Sequence, residues 1–338
     1  MNNQITTGGS MYGTGNKKML NMLILEILQK YSDENHALTQ QEIIRLLKQN
    51  YAMECDRRSV KNNILSLQEM GYDISMEKGY RLMSRDFDDS ELRILIDSVL
   101  FSRSISTRQA KGLIEKLRNL GNSYFNVKVS HVFNLPDLPR TTNKQALYAL
   151  DTINDAISEK RKISFIYNEM GTDFKMHPKR EYPYVVNPYQ IVASNGRFYI
   201  IGNYDGYDDI AHFRIDKMTD VRILDEKAKP MKQIPELKDG LNLPKHMAEH
   251  IYMFSGESIP VKMETTEDMM QNLVDWFGND FRVEKIGDGK IRARVVCNAS
   301  AMRYWALQYG PYVEVLEPKS LRKELKKDIT YMMKKYRN

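Results

Sequence analysis

The chain has 338 residues, a formal net charge of +6 and 42% apolar content, enough for two or three domains with ordinary cores. No apolar run approaches the roughly 20 residues of a membrane span, and the first residues lack the zones of a signal peptide, so a cytoplasmic protein without a membrane partner is expected. Cys55 and Cys297 are too few and too far apart for a disulfide framework or a cysteine metal site, in keeping with a reducing compartment.

The positive charge is local. Between Lys319 and Asn338 there are eight basic and two acidic residues, so this segment alone carries the +6 excess and the remainder is balanced. A terminal amphipathic helix with a charged outer face accounts for it without phosphate contact.

In chain order, residues 1–16 are rich in Gly, Thr and Asn with little to bury and read as a disordered tail. A first helix begins near Lys17, where Leu20, Leu23, Ile24, Ile27 and Leu28 follow the helical period. Thr39-Gln40-Gln41-Glu42 is a capping box that opens a second helix with Ile43, Leu46 and Leu47 on its buried face. Asp56 caps a third, in which Val60, Ile64 and Leu67 recur at helical spacing and Gly71 is the left-handed stop. Two short strands from Tyr72 to Leu82 then flank Glu77-Lys78-Gly79, leaving Lys78 and Arg81 available for phosphate.

Helix, turn, helix and hairpin in this order describe a winged helix-turn-helix over residues 17–83, with the third helix in the DNA major groove. Its expected DNA contacts are Thr39, Gln40, Arg57, Arg58, Ser59, Lys61, Asn62 and Lys78. From Lys17 to Leu82 the charge is nearly neutral, so one such domain would bind weakly. A homodimer reading two half-sites of a double-stranded operator is therefore expected, paired through the connector helices or the C-terminal module.

Ser90 starts a helix carrying Leu92, Leu95, Ile96 and Val99. Ser106-Thr107-Arg108-Gln109 caps another, with Leu113, Ile114, Leu117 and Leu120 on one face and Gly121 at its end. Together they form a helical connector over residues 86–122. Residues 123–145, with Pro136 and Pro139, read as a linker.

Past this boundary the period changes. A helix from Ala146 to Glu159 precedes strands at Lys162 to Tyr167, Pro188 to Ala193, Arg197 to Gly202, Ile210 to Asp216 and Val221 to Leu224. Asn195-Gly196 and Asp205-Gly206 supply turns, and the spacing describes a small β-barrel over residues 146–226. Alternation places Arg197, Tyr199 and Ile201 on one side of their strand and His212, Arg214 and Asp216 together on the next, with Phe198, Ile200, Phe213 and Ile215 toward the core. Residues 227–257 read as a second linker. From residue 258 to 338 the order is strand, helix, hairpin, helix, strand, helix, a ferredoxin-like βαββαβ module turned at Gly287-Asp288-Gly289.

Three segments in this order resemble those of bacterial WYL-domain transcriptional regulators: Asn187-Pro188-Tyr189 with Asn195-Gly196-Arg197-Phe198-Tyr199-Ile200, then Phe213-Arg214-Ile215-Asp216, and finally Gly310-Pro311-Tyr312-Val313-Glu314-Val315-Leu316-Glu317-Pro318. Phe198-Tyr199-Ile200 stands at the Trp-Tyr-Leu signature, and Asn62-Asn63 where the family often has Arg-Asp. The resemblance implies an Sm-like, SH3-like barrel within an α+β multidomain chain. It also implies that the barrel senses a nucleotide or single-stranded nucleic-acid effector through Tyr189, Arg197, Tyr199, His212 and Arg214. Arginine forks suit phosphate, and an aromatic ring suits a base. The same arginines could instead pair with Asp205 or Asp216.

Two other readings compete. An RNA-binding or single-strand-binding accessory protein could use the barrel as its primary contact. His246-Met247-Ala248-Glu249-His250 matches H-x-x-E-H, the pattern of a zinc peptidase with Glu249 as base. It sits in a short stretch between Pro244 and Gly256 without a compelling third ligand, so an incidental surface helix is expected. No catalytic residues, metal site or cofactor are therefore expected, and the chain is not read as an enzyme.

Overall fold

The computed structural model describes residues 17–128, 140–204 and 206–337. The expected tail at 1–16, residues 129–139 of the expected 123–145 linker, Asp205 and Asn338 lie outside the described residues, and residues 123–128 of that linker are helical instead. The fold is α+β and divides into two compact units, one of residues 1–102 and 106–140, the other of residues 103–105 and 141–338.

In the first unit, α1 (Leu20–Tyr31), α2 (Gln40–Tyr51) and α3 (Arg57–Glu69) pack around one core. Ile24, Ile27, Leu28, Ile43, Leu47, Val60 and Ile64 are fully buried there, so the apolar period correctly assigned each helix its inner face. The capping box is formed: the Glu42 amide donates to Thr39 Oγ1 (3.2 Å), and the Thr39 amide donates to Glu42 Oε2 (2.7 Å). Thr39→Ala is expected to cost about 1 kcal/mol, seen as a lower urea midpoint at unchanged slope. An unaltered midpoint would show that the cap adds nothing.

Asp56 caps α3 through the Ser59 amide at 2.7 Å. Gly71, at φ +97, lets the Tyr72 amide return to the Leu67 carbonyl (3.1 Å), closing the helix. The hairpin beyond it is short, β1 (Ile74–Ser75) against β2 (Arg81–Leu82), and Tyr80 exchanges backbone hydrogen bonds with Leu38. Arg81 turns back to the Glu77 carbonyl instead of standing free for phosphate.

Next come α4 (Asp89–Phe101), α5 (Thr107–Leu120) and α6 (Ser123–Lys128). Leu92, Ile96, Ile114 and Phe125 form their core. Leu113 and Leu120 remain outside it, 37% and 53% exposed, so the buried stripe of α5 is narrower than its leucines suggest. Gly121 ends α5 in an extended conformation, and glycine is required there by close approach, since a Cβ would lie 2.3 Å from the Phe125 ring.

In the second unit α7 (Ala146–Glu159) lies on a curled sheet made of β3 (Arg161–Met170), β4 (Met176–Pro178), β5 (Tyr184–Ser194), β6 (Arg197–Tyr204), β7 (Ile210–Arg214) and β8 (Met218–Lys227). Its order is β4–β3–β5–β6–β7, with β8 also on β3. The sheet curls into a half-barrel where a small β-barrel was expected. No pairing between β7 and β8 occurs among the described residues, because the 3-10 turn Ile215–Lys217 redirects the chain and β8 joins β3. That turn also shortens the expected Ile210 to Asp216 strand.

The stretch 227–257, expected as a linker, is structured. It holds two 3-10 turns and α8 (Leu243–Glu249), and Ile234, Leu237 and Met253 pack against Tyr189, Val192 and Ile201. The remaining elements are β9 (Ser258–Thr266), α9 (Met270–Phe277), β10 (Arg282–Gly287), β11 (Lys290–Asn298), α10 (Ala299–Gln308), β12 (Glu314–Glu317) and α11 (Lys319–Lys335). The four strands form an antiparallel sheet in the order β10–β11–β9–β12, with Trp305 fully buried in its core. Leu321 and Leu325 bury the first half of α11, whereas Ile329 and Met333 on its second half are 49% and 57% exposed.

Candidate functional sites

In the first unit a surface cleft of about 520 Å³ gathers residues that are distant in sequence. Thr39, Gln40 and Gln41 come from the start of α2, Arg57 and Lys61 from α3, and Lys78 to Tyr80 from the hairpin. Lys78 is held at φ +54 and exposed, while Arg57 and Lys61 project from the open side of α3. Gln40 Nε2 donates to the Tyr80 hydroxyl at 2.8 Å, which fixes that side chain.

Arg58, Ser59 and Asn62 lie beyond the cleft lining, with Arg58 and Asn62 exposed. Asn63 is half-buried and bonds back to the Ser59 carbonyl at 2.7 Å, leaving Asn62 as the outward member of the pair. Gln41, Met76 and Tyr80 were not singled out by sequence, since only the fold brings the hairpin to the helix starts.

On the half-barrel, β6 and β7 pair so that Tyr199 faces Arg214 and Ile201 faces His212. Arg214 grips Asp216 through Nε (3.1 Å) and an Nη (2.7 Å), and Arg197 reaches the same carboxylate at 2.8 Å. Asp216 is 4% exposed, whereas each arginine keeps part of its side chain open to solvent. The pairing foreseen with Asp216 is thus made.

Tyr167 stands below, its hydroxyl accepting from the Arg214 amide at 3.3 Å, and burial pushes its pKa up to about 12. Burial lowers the Lys217 pKa, with the Arg214 charge acting in the same direction. Two guanidiniums thus share one carboxylate, and Lys217 adds a further cation nearby, within reach of the Arg214, Glu169 and Asp216 charges.

Two sequence-assigned ligand residues lie elsewhere. Tyr189 is core: the β5–β6 register slips between Pro188 and Gln190, its ring is 5% exposed, and its hydroxyl donates to the Lys229 carbonyl. His212 joins His246 and His250 instead of the arginines. Its Nε2 lies 2.8 Å from His246 Nε2, and the His246 and His250 rings stack at 4.2 Å.

The incidental surface position expected for the H-x-x-E-H segment is corrected, since His246 and His250 are only 7% and 3% exposed. The apolar segment 231–253 draws α8 against the sheet and buries them. Burial, reinforced by the neighbouring imidazoles, lowers the His212 pKa to about 3 and that of His246 to about 4.

A sequence profile of the WYL domain matches residues 148–223, and one of the WCX domain matches residues 257–333. The chain therefore carries a WYL domain and a WCX domain. Its WYL domain spans α7 and most of the half-barrel, and its WCX domain is the βαββαβ region. Phe198, at the first position of the WYL signature, packs toward the half-barrel core, and Ile200 is fully buried in it.

Among solved structures, proteasome accessory factor B/C (PafBC) of Arthrobacter aurescens is similar at 14% identity and a TM-score of 0.30, covering 95% of this chain and 49% of that one. The chain thus spans about half the length of that protein. A CRISPR Cas-related protein is similar at 14% identity and a TM-score of 0.38, with 75% of each chain covered. No curated protein matches the sequence.

Proposed function

We propose that this WYL-domain protein is a sequence-specific, DNA-binding transcriptional regulator. Its first unit acts as a winged helix-turn-helix, its WYL domain senses a nucleotide or single-stranded nucleic acid, and its WCX domain has the ferredoxin-like arrangement. The observation that carries the reading is the convergence of Arg57, Lys61 and Lys78 around one open cleft beside α3. Three cations spaced along a groove-sized helix and a neighbouring hairpin match a phosphate backbone.

The effector site is proposed at Arg197, Tyr199 and Arg214. The two arginine forks share one carboxylate, which leaves donors for an anion, and Tyr199 faces Arg214 with a ring that can stack on a base. An effector would act by binding the DNA-competent and DNA-incompetent states unequally, and its influence equals that difference in affinity. Homodimerisation is part of the proposal. Half-exposed Leu120 on α5, and Ile329 and Met333 on α11, are apolar surfaces suited to a second copy.

The test is binding of the whole protein to duplex DNA from upstream of its own coding region, against unrelated duplex, over a range of salt. Parallel titrations add nucleotides or short single strands. Preferential retention with a steep salt dependence is expected, together with an effector response that Arg214→Ala loses. Equal affinity for both duplexes at every salt concentration would overturn specific recognition. An effector response unchanged in Arg214→Ala would remove that residue from the site. Single strands bound more tightly than either duplex would favour the accessory-protein reading.

A further inference from the structure

We propose that His212, His246 and His250 form a binding site for a divalent transition-metal ion, zinc foremost, that ties β7 of the WYL domain to α8. One nitrogen from each imidazole lies within 4.8 Å of the other two. Imidazole nitrogen is a preferred ligand for zinc, and three such ligands with an open fourth position are a recurrent arrangement.

The hydrogen bonding points the same way. His250 Nδ1 donates to the His246 carbonyl at 3.0 Å, which places the proton on Nδ1 and leaves Nε2 with a free lone pair. That Nε2 is buried and has no hydrogen-bond partner. His212 Nδ1 is likewise buried without one, while Nε2 of His212 and of His246 face each other at 2.8 Å.

Three neutral imidazoles confined together can share only some of their protons, and the lone pair of His250 Nε2 is left without a donor. A cation coordinated by the three lone pairs relieves this. Nitrogens around one tetrahedral zinc lie roughly 3.3 Å apart at normal Zn–N lengths. The His212 and His246 rings therefore need to part only slightly to admit it.

Glu249 points to Lys245 (3.8 Å) and is not a member of the cluster, which separates this site from the peptidase arrangement suggested by H-x-x-E-H. Because His212 lies two residues before Arg214 on β7, an ion here would brace the strand that carries the proposed effector arginine.

The experiment uses untagged full-length protein, dialysed against zinc and then against metal-free buffer. The expected result is one zinc per chain and a raised unfolding temperature. His212→Ala and His250→Ala should each lose the zinc and the temperature rise, whereas exposed His177→Ala should keep both. Cobalt(II) in the wild type should give the intense visible bands of a low-coordinate nitrogen site. Absence of zinc from folded wild type, equal binding by all variants, or only the weak spectrum of hydrated cobalt would overturn the proposal. Should an alanine variant fail to fold, the wild-type cobalt spectrum decides.

Discussion

Asp216→Ala is expected to destabilise the second unit by about 3–5 kcal/mol, the cost typical of removing one partner from a buried ion pair. Asp216 is 4% exposed and holds both Arg197 and Arg214, so its loss leaves two neighbouring guanidiniums facing each other without their shared counter-charge. Burial and then the Arg214 charge already depress the Arg197 pKa. The backbone carbonyl of Asp216 also anchors Asn143 at 3.1 Å and would survive the substitution, so the effect isolates the carboxylate. Asp216→Asn keeps an acceptor and should fall between. Urea unfolding read by tyrosine and tryptophan fluorescence measures it; a loss below about 1 kcal/mol would mean that solvent already screens the pair.

Removing Arg57, Lys61 and Lys78 together, each to alanine, is expected to weaken binding to operator duplex about 100-fold and to reduce the salt slope by about three, one per lost phosphate contact. These cations line one cleft yet are not buried, so the triple variant should unfold at the wild-type temperature. Asn62→Ala should behave differently, relaxing preference among sequences with little change in slope, because asparagine can read adenine. Fluorescence anisotropy at several salt concentrations separates the cases. An unchanged salt slope in the triple variant would place the DNA contact elsewhere.

Much of the first unit could be read in advance because its information is local. Thr39 and Glu42 are three residues apart, as are Asp56 and Ser59, and the cap bonds they make require only one helical turn. The inner faces of α1, α2 and α3 follow from a period of 3.6, and the partition of Phe198, Tyr199 and Ile200 follows from a period of two. The arginine site was legible in part: the sequence offered Asp205 or Asp216 as partners of the arginines, and the structure pairs both Arg197 and Arg214 with Asp216, which the 3-10 turn after β7 brings back beneath them.

What failed depended on register and on long-range burial. Tyr189 was assigned to the ligand face, but one extra residue in β5 turns it into the core. Residues 227–257 look like a polar connection, yet Ile234, Leu237 and Met253 are spaced irregularly and find their partners only on the sheet.

By itself the sequence determined the caps and inner faces of most helices, which side chains alternate along each strand, and the succession of a helical bundle, a small β domain and a βαββαβ module. These rest on contacts within a few residues, where backbone geometry alone fixes the neighbours. Only the tertiary structure decided that His212 meets His246 and His250, that the sheet stays a half-barrel, and that Lys78 shares a cleft with Arg57. Such pairings join positions tens of residues apart, and they arise when apolar surfaces on separate elements bury one another, bringing polar groups together that no local periodicity relates.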